Sequence, residues 1–466
     1  MKRIIQVLIL LAFTYSISAQ YQVGQRTITF NDPARTGGFG SGGGTGRQIQ
    51  SEIYYPSTTA GLNSPIANGV FPVIVFGHGF SMAWSAYQNI WEALVSQGYI
   101  MVFPRTEGGL SPSHNDFGLD LRICVSRMQL EGSTSTSPFF QHVDSKTAIM
   151  GHSMGGGASV LAASGQTNIK TMICLAPAET NPSAIAAGTG VTIPSLVFSG
   201  SGDAVTPPAN HHTPIFNAIA GTCKTFLSIT GGGHCYYANT NFNCDFGETT
   251  SGSAISITRL QQQDITQDIS SLWLDFHLKS NCNSWESYLD SLNLSGRFTS
   301  IHQCTNQTLS LSAVVTNASS GNSNGNIDLS VNGGSSTYSF LWSNGAITED
   351  ISNLSSGTYT VTVSDANGCS KIDSFTVSST SNITIVNLDN LIRVFPNPAE
   401  KEFTISAELN TKSIKLINCK GEIIYSEKVE KIENKIVPCE AFEKGIYVLE
   451  LETEKNYLIR KKIILQ

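Results

Sequence analysis

The 466-residue chain has room for roughly two to four domains of about 100–200 residues each, and its 40% hydrophobic content can furnish their cores. A net charge of −7 with no basic block excludes a polyanion-binding role, and the overall composition excludes a wholly disordered chain, a coiled coil or a multi-span membrane protein. The charge is also uneven: Leu391–Gln466 carries 25 charged residues against 38 in the first 390, a step that marks a domain boundary.

At the N-terminus, Lys2 and Arg3 precede an apolar run from Ile4 to Phe13 and a small-residue stretch ending at Ala19. A basic head, a short apolar core and a small residue before the cut describe a secretory signal peptide over 1–19. The run is too short to span a bilayer. The mature chain is therefore expected to be exported.

Residues 20–300 read as alternating strands and helices. Strands are expected at Arg26–Phe30, Ser51–Tyr55, Phe71–Phe76, Ile100–Phe103, Thr147–Met150, Lys170–Cys174, Pro194–Phe198 and Thr225–Ile229. A helix is expected over Ala86–Gln97, stopped at Gly98. Such alternation implies a mainly parallel sheet covered on both faces. From about 305 the helical periodicity ends, and short Thr/Val/Ser/Tyr strands alternate with Asn-Gly and Gly-Gly turns, a β-sandwich pattern. The charged segment after 391 is again strand-rich. The fold class expected is α/β, followed by two small all-β sandwiches.

The chemistry centres on Gly151-His152-Ser153-Met154-Gly155, a G-x-S-x-G directly after an expected strand and before an expected helix. That strand–turn–helix context is what a nucleophile elbow requires. The partners follow in the order Ser, acid, His. Asp203 stands on the loop after Pro194–Phe198, and His234 ends the turn Gly231-Gly232-Gly233-His234. A serine hydroxyl is a weak nucleophile near neutrality, so Ser153 needs His234 as base and His234 needs Asp203 for orientation. His211 and His212 are rival bases lying close after Asp203. Asp116 and Asp120 precede the nucleophile and are poor acids on order. Oxyanion donors are expected at the N–H of Met154 and, from Gly77-His78-Gly79-Phe80, at the N–H of Phe80; His78 reads as a structural support for that loop.

Residues 24–280 resemble the cutinase, PET hydrolase and chlorophyllase branch of the α/β-hydrolases. The resemblance rests on Thr27-Ile28-Thr29-Phe30-Asn31-Asp32-Pro33-Ala34-Arg35, Ile53-Tyr54-Tyr55-Pro56, the Gly77–Phe80 loop and Ser153-Met154-Gly155-Gly156-Gly157. It implies Ser153, Asp203 and His234 as the triad, Phe80 and Met154 as the oxyanion hole, and Phe80 as part of the substrate platform. In one respect the chain departs from that branch: where polyester hydrolases carry a Trp clamp, it reads Leu175-Ala176-Pro177-Ala178-Glu179-Thr180. Trp84 and Tyr87 are the aromatic residues that could partly substitute on the platform. Residues 305–380, with Leu341-Trp342-Ser343-Asn344-Gly345 and Gly357-Thr358-Tyr359-Thr360-Val361, resemble a SprB-type repeat, which implies adhesion or glycan contact, or a spacer. Residues 391–466, with Arg393-Val394-Phe395-Pro396-Asn397-Pro398, Gly445-Ile446-Tyr447-Val448 and Lys461-Lys462-Ile463-Ile464-Leu465, resemble the C-terminal sorting domain of the type IX secretion system. That implies an export machinery as partner, a route through the periplasm, and a secreted or surface-bound product.

No cofactor is expected. Gly38-Phe39-Gly40-Ser41-Gly42-Gly43 satisfies G-x-G-x-x-G, but a strand follows it rather than a helix, and no Cys/His spacing suggests a metal. Among ten cysteines, Cys235 and Cys244 are expected to pair across the loop carrying His234, with Cys223 as competitor, while Cys124 and Cys174 read as buried thiols. The functional expectation is a secreted serine ester hydrolase acting on short-chain esters or polyesters. The alternatives are a lipase, an aromatic-polyester hydrolase or an amidase, and, from another class, a surface adhesin with an inactive hydrolase domain.

Overall fold

The computed structural model describes residues 21–304, 308–380, 391–408, 410–454 and 457–466; the leader expected over 1–19 lies outside them. Two compact units emerge, one running to Ala318 and continuing over Asn322–Ser378, the other made of Ser319–Gly321 and Ser379–Gln466.

The first unit is built on a mixed sheet of 11 strands. Nine of them carry the architecture: β1 (Gln22–Asp32), β2 (Arg47–Ser57), β3 (Phe71–Gly77), β4 (Ile100–Pro104), β5 (Val143–His152), β6 (Thr171–Leu175), β7 (Ser195–Gly200), β8 (Lys224–Ile229) and β9 (Phe298–His302). Their order is β9-β8-β7-β6-β5-β3-β4-β2-β1. The central pairings from β8 to β4 are all parallel. Both margins turn antiparallel, β9 against β8 on one side, and β2 against β4 then β1 against β2 on the other.

The central strands are apolar runs because both faces are covered. In β3, Ile74 and Phe76 enter one core with Ile90, Trp91 and Leu94 of α1 (Gln88–Ser96) and Ile269 and Trp273 of the helix Arg259–Lys279. Val73 and Val75 enter the other core with Phe117 and Leu121 of α2 (His114–Ser133) and Ala158 and Val160 of α3 (Met154–Ala163). The two-residue period of a strand thus splits one sequence run between two cores. The helix expected over Ala86–Gln97 starts with a 3-10 turn at Trp84–Tyr87 before α1, and Gly98 takes the positive φ of 93° that ends it. Because the central strands are parallel, the loops after β3, β5, β7 and β8 leave from one edge of the sheet, where ligands bind in such folds.

β9 continues to His302, and Cys304 just beyond it is bonded to Cys223 at the head of β8. Ser310–Val377 then forms two three-stranded antiparallel sheets around Ile327, Leu329, Trp342, Val361 and Val363. Cys282, the first residue of the helix Cys282–Leu294, is bonded to Cys369 of this sandwich, so the linkage to the α/β domain is covalent. The second unit holds a three-stranded and a four-stranded sheet around Phe403, Ile405, Ile414, Leu449, Leu451 and Ile463, with antiparallel pairings between its strands. An α/β domain followed by small all-antiparallel β sheets is the class expected from the sequence. Among the described residues no helix is long and apolar enough to cross a membrane.

Candidate active site

Ser153 stands between the end of β5 and the start of α3, with φ 55° and ψ −119°. A non-glycine residue there stores strain of roughly 1–3 kcal/mol. The surrounding glycines are needed for close approach. A Cβ on Gly151 would lie 2.2 Å from the Gly155 carbonyl oxygen, and one on Gly155 would lie 2.1 Å from that of Gly77. The Ser153 N–H donates to the Leu175 carbonyl at 2.9 Å, and the Ser153 carbonyl accepts from Ala178 N–H at 2.9 Å. The hydroxyl makes no capping bond to α3. The Met154 N–H lies in the first turn of that helix, where no intrahelical acceptor exists.

Asp203 and His234 come together on the same edge. Asp203 is buried, and its Oδ1 accepts from the N–H groups of Val205 at 2.9 Å and Thr206 at 2.8 Å. Its Oδ2 accepts from Thr206 Oγ1 at 3.0 Å and from His234 Nδ1 at 2.8 Å. Burial pushes the carboxyl upward, but the His234 hydrogen bond, neighbouring imidazole charge and the Thr206 N–H outweigh it and hold the group below its ordinary value. With Nδ1–H given to the carboxylate, Nε2 is the basic nitrogen of His234.

The rival residues have hydrogen-bond partners of their own, and His212 Nε2 stands behind Asp203, 3.6 Å from Oδ2. His212 is fully buried, with Nδ1 at 2.8 Å from Ser199 Oγ and Nε2 at 2.9 Å from Thr206 Oγ1. His211 Nδ1 accepts from the Glu179 N–H at 2.9 Å. Asp116 and Asp120 pair with Arg35, and Asp120 also with Arg47. His78 is buried with Nε2 at 2.9 Å from the Thr106 carbonyl oxygen.

The loop carrying His234 is held on three sides. Glu248, buried on the helix Phe242–Ser251, accepts from the N–H of His234 at 2.8 Å and of Cys235 at 2.6 Å. Cys235 and Cys244 are joined by a disulfide. The His234 carbonyl accepts from His152 Nε2 at 2.9 Å. Because that carbonyl can only accept, His152 carries its proton on Nε2, and Nδ1 accepts from the Tyr87 hydroxyl at 2.9 Å. The same hydroxyl accepts from the Gly79 N–H at 2.8 Å. A hydrogen-bonded chain therefore runs from the Phe80 loop through Tyr87 and His152 to His234.

Tyr87 corrects the expected substrate platform: it has no exposed surface and its hydroxyl is committed to this chain, so it braces the loop and presents nothing to a ligand. Trp84 is partly exposed, covered by the Arg105 guanidinium at 4.2 Å and donating Nε1–H to Tyr54 Oη at 3.1 Å. Phe80 is 49% exposed. Phe242 and Phe246, which no sequence motif marks, are 81% and 61% exposed, and their rings stack 6.2 Å apart on the helix Phe242–Ser251. Asn243 between them donates to the carbonyl of Ser81, the neighbour of Phe80, at 2.8 Å. Thr206, His152, Glu248 and the supporting role of His212 were likewise missed, since each acts through a contact between separate loops.

Two segments of the chain are similar to known proteins. A family model described as PET hydrolase-like matches residues 17–253. Cutinase est1 of Thermobifida alba is 27% identical over 213 residues, 45% of this chain and 64% of that protein. Bis(hydroxyethyl) terephthalate hydrolase of Streptomyces coelicolor is 28% identical over 197 residues, 42% of this chain and 56% of the relative. The chain thus spans less than two thirds of the length of either relative. A second model, described as a secretion system C-terminal sorting domain, matches residues 393–466, the segment expected to carry the type IX sorting signal. A sorting domain of that kind indicates export, with release or attachment at the cell surface.

Proposed function

The chain belongs to the PET hydrolase-like family, and from that premise we propose that it is an exported serine carboxylesterase working through an acyl-enzyme. The observation that carries the reading is the buried Asp203–His234 pair, 2.8 Å apart, on the sheet edge where Ser153 occupies its strained turn. Ser153 Oγ attacks the ester carbonyl carbon while His234 Nε2 takes its proton, and Asp203 stabilises the imidazolium. The oxyanion is received by the N–H groups of Phe80 and Met154. Collapse breaks the ester bond, His234 protonates the departing alcohol, and water releases the acid by the same steps in reverse.

Short-chain esters and aliphatic polyesters are the first substrate class, since no aromatic side chain stands on Leu175–Thr180. The exposed Phe242–Phe246 pair, tied beside Phe80 through Asn243 and Ser81, favours a second reading in which aromatic polyesters are also held. The purified protein is expected to hydrolyse p-nitrophenyl butyrate and to lose that activity to a serine-reactive phosphonate, with one adduct on the Ser153 peptide by mass mapping. An inert protein, or inhibition without that adduct, rejects the reading.

The C-terminal segment acts as an address, with export running through the periplasm. Deleting Arg393–Gln466 in a host with type IX export should leave active enzyme in the periplasm, at unchanged specific activity. Activity assays on cell fractions check this. Secretion of the shortened chain at normal yield would contradict it.

A further inference from the structure

We propose that Thr206, oriented by His212, is a positioning residue for the acid–base pair, its hydroxyl setting how strongly Asp203 holds the His234 imidazolium. The inference rests on the esterase reading above.

Thr206 Oγ1 sits where three buried groups converge: 3.0 Å from Asp203 Oδ2, 2.8 Å from His234 Nδ1 and 2.9 Å from His212 Nε2. An ionised carboxylate only accepts, so the single hydroxyl proton points to Asp203 Oδ2. The hydroxyl oxygen must then accept, from His212 Nε2–H behind it and from the His234 Nδ1–H that it shares with Asp203. His212 is oriented in turn by Ser199, whose hydroxyl donates to His212 Nδ1 at 2.8 Å. This polarity requires a neutral His212, and its burial lowers its pKa to about 3. Ser199, His212, Thr206, Asp203 and His234 are all buried.

Asp203 Oδ2 is therefore shared between two donors, and part of its charge is committed to Thr206. Without the hydroxyl, His234 Nδ1 loses a neutral acceptor, but the carboxylate has Nδ1–H as its main partner on that oxygen, and this charge-assisted bond is the stronger of the two effects, so the imidazolium is favoured. The base would then stay protonated to higher pH. Of the other titratable neighbours, His152 is engaged with the His234 carbonyl, Glu248 with the His234 N–H and His211 with the Glu179 N–H, while burial holds the Tyr237 phenol neutral. None of these contacts depends on the threonine hydroxyl.

The pH profile of kcat/KM on p-nitrophenyl butyrate, measured with the full chain, tests this. Thr206→Val should move the acid limb up by about 0.5–1 pH unit. It should also lower kcat about threefold to tenfold with KM nearly unchanged. Thr206→Ser, which keeps the donor, should retain the acid limb of the unmodified protein. His212→Asn, which withdraws the Nε2 donor, should shift the limb in the same direction as valine, and His212→Gln should restore it. A purely structural role lowers the whole profile without moving the limb. Superposition of the acid limb of Thr206→Val on that of the unmodified protein overturns the inference, and so does superposition for His212→Asn should the valine variant fail to fold. A chain with no Ser153-dependent hydrolysis overturns the esterase reading and this inference together, a result separate from an unmoved limb in an active enzyme.

Discussion

Replacing Ser153 or His234 with alanine is expected to lower kcat on p-nitrophenyl butyrate by roughly 10⁴- to 10⁶-fold, the scale of triad knockouts elsewhere. Neither change should unfold the protein. Ser153→Ala leaves the backbone bonds of the elbow to Leu175 and Ala178 in place, and alanine is no more strained than serine at that φ. Asp203→Asn is expected to cost less, about 10³- to 10⁴-fold, by a different route. The Asn Oδ1 can still accept from Val205 and Thr206, which leaves the Nδ2 donor facing His234 Nδ1. Two donors cannot share that contact, so the imidazole must place its proton on Nε2, where it can no longer accept from Ser153. Steady-state kinetics with thermal melting as a fold control separate these outcomes. A near-normal rate in Ser153→Ala would sink the assignment of the nucleophile.

What could be read from the sequence is what the chain encodes locally. The elbow depends on β5, one strained residue and α3, all within Val143–Ala163, and its glycines face atoms a Cβ would strike. The acid and base follow because β7 and β8 are apolar strands whose loops leave from the sheet edge that carries the serine. The supports were illegible because each links loops far apart in sequence. Tyr87 reads as a surface aromatic until its hydroxyl meets Gly79 and His152, 65 residues away. Glu248 is one acidic residue on an exposed helix until the chain turns it back onto His234. β9 was missed for a different reason. It is an edge strand with Thr299, Ser300 and Ile301 exposed, so it lacks the apolar run that marked the central strands. The bonds Cys223–Cys304 and Cys282–Cys369 close separations of 81 and 87 residues, which spacing alone cannot assign.

Acid should destabilise the fold well before the carboxylates titrate, because two imidazoles around the site are held neutral. His152 and His212 have no exposed surface, and burial lowers each pKa to about 3 from the ordinary 6.5. For His152 the nearby His234 adds to the effect. Unfolding frees both rings to take a proton near pH 6.5, while the folded protein refuses it until about pH 3. The unfolded state therefore binds more protons across that window, and stability falls as the pH drops below 6.5. The slope is about 1.4 kcal/mol per pH unit for each ring. Two rings together remove on the order of 3 kcal/mol per unit, and His277, away from the site and with its pKa also lowered to about 3 by burial, adds a third such share, together a large part of the roughly 5–15 kcal/mol of an ordinary domain. Asp203 acts in the same sense further down, since its lowered pKa gives a stabilisation that is lost only as the pH falls below its ordinary value of 3.8. Urea midpoints should be flat above pH 7 and decline steeply from 6.5 to 5. In ¹³C-histidine spectra, the His152 and His212 ring signals should stay fixed over that range in the folded protein. Titration of either signal near pH 6.5 without loss of structure would show that the site accepts the charge, and the neutral tautomers that orient Thr206 and the His234 loop would no longer follow.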